Sequence, residues 1–533
     1  MKKNIKHSTI AVVAVANLVA TATLANAAAP VYMQNVASSV KLTPVISAGD
    51  YVGSYQIAGV PDGLGVIKEN GKLRIITNHE LSATNAVVAG RNSARGSTSG
   101  SFISEMHYDL ASGTVTKARD FISDVVWYDY ANAKFGNTPT APADAAALDE
   151  YKTPNHTSLL NRFCSATLAA AGTFFDKASG FGHQGAVFLT GEEGSDESRG
   201  FAVNADDGQM VQMPKFGLAA WENLIPTPNK GKTTGIMGME DGSATDSQLW
   251  MYVGTKTKTG TWYQKAGLTN GSAYVLAADP SAVVANDNEI RTKYGKNKPI
   301  KVTFAKINSA VNGKAQNAEA REKGIELSRV EDGSFDPKNP NDFYFVTTES
   351  NKDPIATAPN PATPTVSRDG GALWRLRFAD VANPAKGGTL ELLLNGGEEL
   401  YLGKPDNITV DGAGNVLIQE DPGNNALVAR IVAYRISDGK MGVLAKFKDE
   451  YFAEGASAFI TKDEESSGII DVTAELSKGK NDKNRYYMYV AQVHGPIAAS
   501  RADIATDPNL AKAVEGGQWY IMQVSDWASV YNA

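Results

Sequence analysis

Leu73-Arg-Ile-Ile-Thr-Asn-His79-Glu80 is a short β-forming run that ends on an acid, and it returns, altered, along the whole chain. Ala186-Val-Phe-Leu-Thr-Gly-Glu192-Glu193 is the second occurrence, Leu249-Trp-Met-Tyr-Val-Gly254 the third and Phe343-Tyr-Phe-Val-Thr-Thr-Glu349 the fourth. Val416-Leu-Ile-Gln-Glu420-Asp421 and Tyr487-Met-Tyr-Val-Ala-Gln-Val-His494 complete the series. Runs this short, rich in Val, Ile, Tyr and Phe and stopped by polar residues, read as strands rather than helices.

A second element precedes several of the runs. Pro61-Asp62-Gly63 lies before the first, Glu240-Asp241-Gly242 before the third, Glu331-Asp332-Gly333 before the fourth and Pro405-Asp406-Asn407 before the fifth. Between element and run stand turn signals such as Asn70-Gly71, Asp336-Pro337 and Asp411-Gly412, which suit hairpins between successive antiparallel strands. Six such units predict an all-β fold, a six-bladed β-propeller with long loop insertions at 126–160, 279–326 and 351–371. The stretch 310–323, rich in Ala, Glu and Lys, is the best helix candidate and belongs on the periphery. In a propeller, equivalent positions of different blades face one axis, so acids repeated at strand ends meet at one mouth of the channel. The bland alternative is that they only solvate loop tips.

The N-terminus predicts export. Lys2, Lys3 and Lys6 precede a mostly apolar run at 10–22, and Ala25-Asn26-Ala27 supplies a small-x-small cleavage site. Residues 1–27 therefore read as a general secretory signal and 28–533 as one propeller domain. No other stretch is long and apolar enough to cross a membrane. The protein is thus expected in the periplasm, outside the cell or on its surface. The chain carries a formal net charge of −7, and losing three lysines with the signal makes it more acidic still. Such a surface repels nucleic acid and tolerates cations. Cys164 is the single cysteine, so no intramolecular disulfide is available, and stability must come from the core, from bound ions or from assembly. Histidine is scarce and carboxylates are plentiful, which points away from an ordinary zinc site and toward hard cations such as calcium.

Several short segments combine with this frame: Asn78-His79-Glu80, Arg162-Phe163-Cys164-Ser165, Thr190-Gly191-Glu192-Glu193, Ala220-Trp221-Glu222-Asn223, Arg329-Val330-Glu331-Asp332, Pro405-Asp406-Asn407 and Gln492-Val493-His494-Gly495. Their order and content, from about residue 50 to 525, resembles the PhoX-type alkaline phosphatase family. The resemblance implies a six-bladed propeller with a cluster of iron(III) and calcium ions at the channel mouth. It further implies Cys164 as an iron ligand, Glu80, Glu193, Glu222 and Glu331 as carboxylate ligands, and Asp406 as a further ligand. Arg329 would hold a non-bridging phosphate oxygen beside Glu331, making these two the catalytic candidates. Glu192 and Asp241 are additional possibilities. His79 and His494 read as hydrogen-bonding strand ends. The chain departs from the family in having Arg329-Val330-Glu331 where Arg-Pro-Glu is usual, and in a signal without the twin-arginine pair.

Physical chemistry is consistent with that assignment. A phosphoester is anionic and repels attack unless cations neutralise its oxygens, and an arginine fork matches phosphate geometry. A thiolate is stabilised by a metal, and crowded carboxylates demand counter-ions. The sequence therefore predicts a metal-dependent phosphatase acting on small phosphoesters. Two readings compete: a calcium-binding structural protein that self-assembles at the cell surface, and a calcium-dependent lactonase. The lactonase gives no special reason for Cys164 or Arg329.

Overall fold

The computed structural model describes residues 29–85, 99–145, 156–243, 245–349, 359–360, 363–367, 371–423 and 427–532. The predicted signal, the 146–155 part of the first insertion and most of the 351–371 insertion lie outside the described residues.

Six antiparallel blades follow one another along the chain. Blade 1 consists of Pro61–Glu69, Lys72–His79, Phe102–Asp109 and Thr114–Asp120. Blade 2 consists of Phe163–Ala169, Val187–Glu192, Gly200–Asn204 and Gln209–Gln212. Blade 3 consists of Trp221–Pro226, Thr233–Glu240, Leu249–Thr255 and Ser272–Ala278. Blade 4 consists of Val330–Phe335, Asp342–Thr347, Ala372–Phe378 and Gly388–Leu394. Blade 5 consists of Pro405–Val410, Asn415–Glu420, Arg430–Arg435 and Met441–Phe447. Blade 6 consists of Glu464–Asp471, Arg485–Pro496 and Glu515–Val524, and takes its outermost strand, Val40–Ser47, from the other end of the chain.

The first strand of each blade lies innermost. Five of the six recurring runs are second strands, as expected. Blade 3 corrects the sequence reading, because Leu249–Thr255 is its third strand and Thr233–Glu240 its second. Gly235 and Gly238 dilute the β signal of that second strand. Gly238 is required there, since a Cβ would stand 2.6 Å from the Trp221 ring.

Six apolar seams hold the blades together, one between each neighbouring pair. Leu189, Val211, Trp221, Ile236 and Trp250 fill the seam between blades 2 and 3. Leu64, Ile75, Met488, Val490 and Trp519 fill the one between blades 6 and 1. Tyr487, Tyr489 and Ala491 face blade 5, whereas Met488 and Val490 of the same strand face blade 1. This is the two-residue period of a strand buried on both faces, and it explains why the runs read as almost continuously apolar. Full burial of one such side chain is worth roughly 1.5–3 kcal/mol.

The 310–323 helix is real but shorter, Gly313–Lys323, because Asn312 caps it by accepting from Ala315 N. The carboxylate of Glu197 accepts from Gly313 N and Lys314 N, and Asn317 donates to Leu218 O. The helix is thereby pinned against the outside of blades 2 and 3. Among the described residues no helix is long and apolar enough to cross a membrane.

Candidate metal centre

The second residue of each innermost strand is Asp62, Cys164, Glu222, Glu331, Asp406 and Glu465 in blades 1 to 6. In blades 1 to 5 the pairing with the second strand shifts register across this residue, for example between Pro61 and Leu64 and between Phe163 and Ala166. A bulge of this kind re-aims a side chain that regular pleating would hold in the sheet. Here it turns the five positions of blades 1 to 5 toward the axis, where Glu465 of blade 6 joins them from a regularly paired strand. The inner strands crowd at this level: a Cβ on Gly63 would stand 2.1 Å from Ala166 N.

Ligand-type atoms fall into four overlapping groups, each within 4.8 Å: Asp62, Glu80 and Cys164; Glu80, Glu465 and His494; Cys164, Glu193 and Glu222; Glu222, Glu331 and Asp406. The Cys164 thiol donates to Asp62 Oδ2 at 3.3 Å. Gln492 Nε2 bridges Asp62 Oδ2 at 2.9 Å and Glu465 Oε1 at 2.7 Å. Asp62, Glu222 and Glu331 are each only 1% exposed. The buried Asp62 Oδ1 accepts no hydrogen bond among the described residues.

The second strands deliver a further tier: Glu80, Glu193, Asp241 and Asp421 stand one residue past the strand end in blades 1, 2, 3 and 5, and His494 lies near the end of Arg485–Pro496 in blade 6. The residue just before each has a different fate. His79 bonds Gly59 O and Ser104 Oγ, Glu192 pairs with Arg199 at 2.7 Å, Glu240 accepts from Trp250 Nε1 at 2.7 Å, and Glu420 pairs with Arg430 at 2.6 Å. Those side chains turn into the seams.

Cations stand two residues before the ring position, and strand alternation puts them on the same side. They are Arg162, Arg329 and Lys404 in blades 2, 4 and 5, with left-handed φ values of 43°, 59° and 50°. Val60 holds the same place and conformation, φ 48°, in blade 1. A non-glycine residue there costs on the order of 1–3 kcal/mol and persists where surroundings impose it, commonly at functional sites. Arg162 Nη2 lies 2.6 Å from Glu80 and 2.8 Å from Glu193. Arg329 donates through Nε and Nη2 to the two Asp241 oxygens, at 2.7 and 2.6 Å, and lies 3.4 Å from Glu331.

Residues 27–475 match the family described as Alkaline phosphatase PhoX. The chain belongs to the PhoX alkaline phosphatase family. Among solved structures it is similar to Pseudomonas fluorescens PhoX in complex with vanadate, a transition state analogue, at 13% identity. That likeness covers 95% of this chain and 98% of that one, with a TM-score of 0.56, and it shows a shared propeller fold. A gluconolactonase from Xanthomonas campestris aligns at 9% identity over 92% of this chain and 98% of its own, but its TM-score of 0.32 carries no argument. No curated protein sequence matches the chain significantly.

Every PhoX site residue expected from the sequence lies in this one cluster: Glu80, Cys164, Glu193, Glu222, Arg329, Glu331 and Asp406. Of the two additional candidates, Asp241 holds Arg329, whereas Glu192 belongs to the seam. His79 is a strand-end hydrogen-bonding residue as expected, but His494 reaches the cluster, with Nε2 3.6 Å from Glu465 and Nδ1 2.9 Å from Glu515. Asp62, Glu465 and Asp421 were not singled out as ligands. The signal for Asp62 was present, since Pro61-Asp62 and Pro405-Asp406 open equivalent strands.

Burial is the leading reason that Asp62, Glu222, Glu331 and Asp406 are pushed well above the carboxylate range, and their neighbouring acids push them further. Burial likewise takes Glu193 up to about 8 and Asp421 up to about 7. The Cys164 thiol is raised first by burial and then by Asp62 and Glu222. Arg329 is held protonated chiefly by Asp241. Glu465 alone in the ring goes down: burial pushes it up, but His494, Ser467 and Arg162 together outweigh that push. So many oxygens with one thiol, too few cations among them and a buried acceptor left unbonded fit a multivalent metal cluster, the kind of cofactor the PhoX family implies.

Proposed function

We propose that the protein is an exported, metal-dependent phosphatase that hydrolyses phosphoesters at the axial cluster. The observation that carries this reading is the continuous belt of ligand atoms around the axis in a chain of the PhoX family. Asp62, Glu80, Glu193, Glu222, Glu331, Asp406 and Glu465 would hold calcium through oxygen. Cys164 offers the one soft donor and would select iron, its thiolate stabilised by that ion. When bound, such cations polarise the phosphoryl group and neutralise its charge.

The chain's own residues then position the ester. Asp241 occupies Nε and Nη2 of Arg329, so the guanidinium plane is fixed before substrate arrives. Its Nη1, 3.8 Å from Glu349, is the edge left for a phosphate oxygen. Glu331, the ring position of the same blade and 3.4 Å from Arg329, joins this arginine to the ligand belt. Removal of residues 1–27 would leave 28–533 as one propeller domain in the periplasm, outside the cell or on its surface. The start of the family match at residue 27 supports that boundary.

The test is hydrolysis of a chromogenic phosphate ester at alkaline pH by purified protein, after chelation and after restoring calcium and iron. Turnover that needs metal and is lost in Cys164→Ala and Arg329→Ala is expected. Calcium binding without turnover, with sheets or oligomers released by chelator, would instead favour the surface-layer role.

A further inference from the structure

Of the three cations that share the left-handed position above the ring, two are already engaged. Arg162 is held by Glu80 and Glu193, and Arg329 by Asp241. Lys404 differs. Among the described residues its ammonium donates no hydrogen bond and makes no ion pair, while its backbone carbonyl accepts from Asp421 N at 2.9 Å. Its Nζ and the Asp421 carboxylate border the same space at Gly423, where a Cβ would stand 3.9 Å from Nζ and 3.7 Å from Asp421 Oδ1. Lys404 is half-buried, two residues before the ring ligand Asp406, and its φ of 50° is a conformation that glycine or asparagine would adopt with less strain. Lys404 lends its charge to Asp421, but its three N–H donors are unused among the described residues, which leaves them for an anion that arrives from outside.

We infer that Lys404 is a substrate-contacting cation that, together with Arg329 on the adjacent blade, binds the anionic oxygens of the phosphoryl group. The inference rests on the phosphatase reading and deepens it. Lysine acts here as a mobile point charge, whereas Arg329 is a fixed fork. The two divide the task between holding the anion and orienting it.

The test compares Lys404→Gly and Lys404→Arg with the wild-type holoenzyme. The readouts are ester hydrolysis, inhibition and calorimetric binding by inorganic phosphate, metal content and Tm. Loss of one charge-assisted contact should raise the phosphate inhibition constant and KM about tenfold in Lys404→Gly. Lys404→Arg should stay within about threefold. Because glycine relaxes the backbone, Lys404→Gly should keep its metal and melt no lower than wild type. Unchanged phosphate affinity in Lys404→Gly, or loss of metal and Tm alongside affinity, would overturn the inference, as would a wild type that binds no phosphate. If the wild type binds phosphate without turnover and Lys404→Gly weakens that binding, the phosphatase reading fails and the role of Lys404 stands.

Discussion

The axial belt and the seams between blades both bury carboxylates, often neighbours in sequence, and treat them in opposite ways. Glu192 and Glu193, Glu240 and Asp241, Glu420 and Asp421, and Glu464 and Glu465 are adjacent pairs. The first of each pair turns into a seam and finds a built-in partner: Arg199, Trp250 Nε1, Arg430 or Ala429 N. The second turns toward the axis, where acids meet other acids. One residue of strand alternation thus separates an acid with its own local donor from one that shares a crowded site with other acids. Burial alone does not mark a functional acid; crowding of several acids around too few cations does.

The largest expected effect lies in a seam. Arg199→Ala leaves Glu192 buried and unpaired and should cost about 3–5 kcal/mol of stability, read by denaturant melts, whether or not metal is present. If the loss vanishes on chelation, the seam acids are not independent of the centre. On the axis, Cys164→Ser should lower kcat at least about 100-fold, roughly 2.7 kcal/mol, and lower iron content, while leaving the chelated protein as stable as wild type.

The stability of the chelated protein should also depend on pH with a definite sign. Glu193 and Asp421 stand at about 8 and about 7 in the folded chain, above ordinary carboxylates, so the folded state binds more protons than the unfolded one between about pH 4.5 and 8. Stability in chelator must then fall as pH rises through that window, and added calcium should recover most of it. Burial holds the seam acids Glu240 and Glu464 at about 8 as well, so a residual slope should survive calcium. Thermal melts at pH 5, 6.5 and 8, with and without calcium, read both components; a rise with pH in chelator would end the comparison. The smallest effect is expected for Glu240→Gln, which keeps an acceptor for Trp250 and removes an ill-placed charge. It should shift stability by less than about 1 kcal/mol and leave metal content alone.

Much of this was legible in the sequence, because a strand buried on both faces leaves an unbroken apolar signature and its acidic end marks the mouth. Register was not. Glu240-Asp241-Gly242 and Glu331-Asp332-Gly333 are the same tripeptide, yet one closes a second strand and the other opens an innermost strand. Only strand pairing distinguishes them, and pairing is a long-range property. Blade 3 was misaligned for that reason, its glycine-rich second strand yielding to the more apolar third. Glu465 hid inside an acidic run at 463–465, where nothing local says which member faces the axis. Arg329 is legible as a phosphate-holding candidate, but the left-handed conformation it shares with Arg162 and Lys404 is not, because that follows from the ring and not from neighbouring residues.

Blade 6 borrows its outer strand from the start of the chain: Val40–Ser47 lies against Glu515–Val524, so residues nearly the whole length apart must meet before the circle is complete. Contacts this remote in sequence are slow to form. That strand has to wait until the last one of blade 6 is available. The ligand belt can close only then, since Asp62 and Glu465 stand on either side of the final junction. Completion of the centre is therefore timed by the last blade, and deleting Glu515–Val524 should open the belt between Asp62 and Glu465 before it costs any of blades 2 to 5.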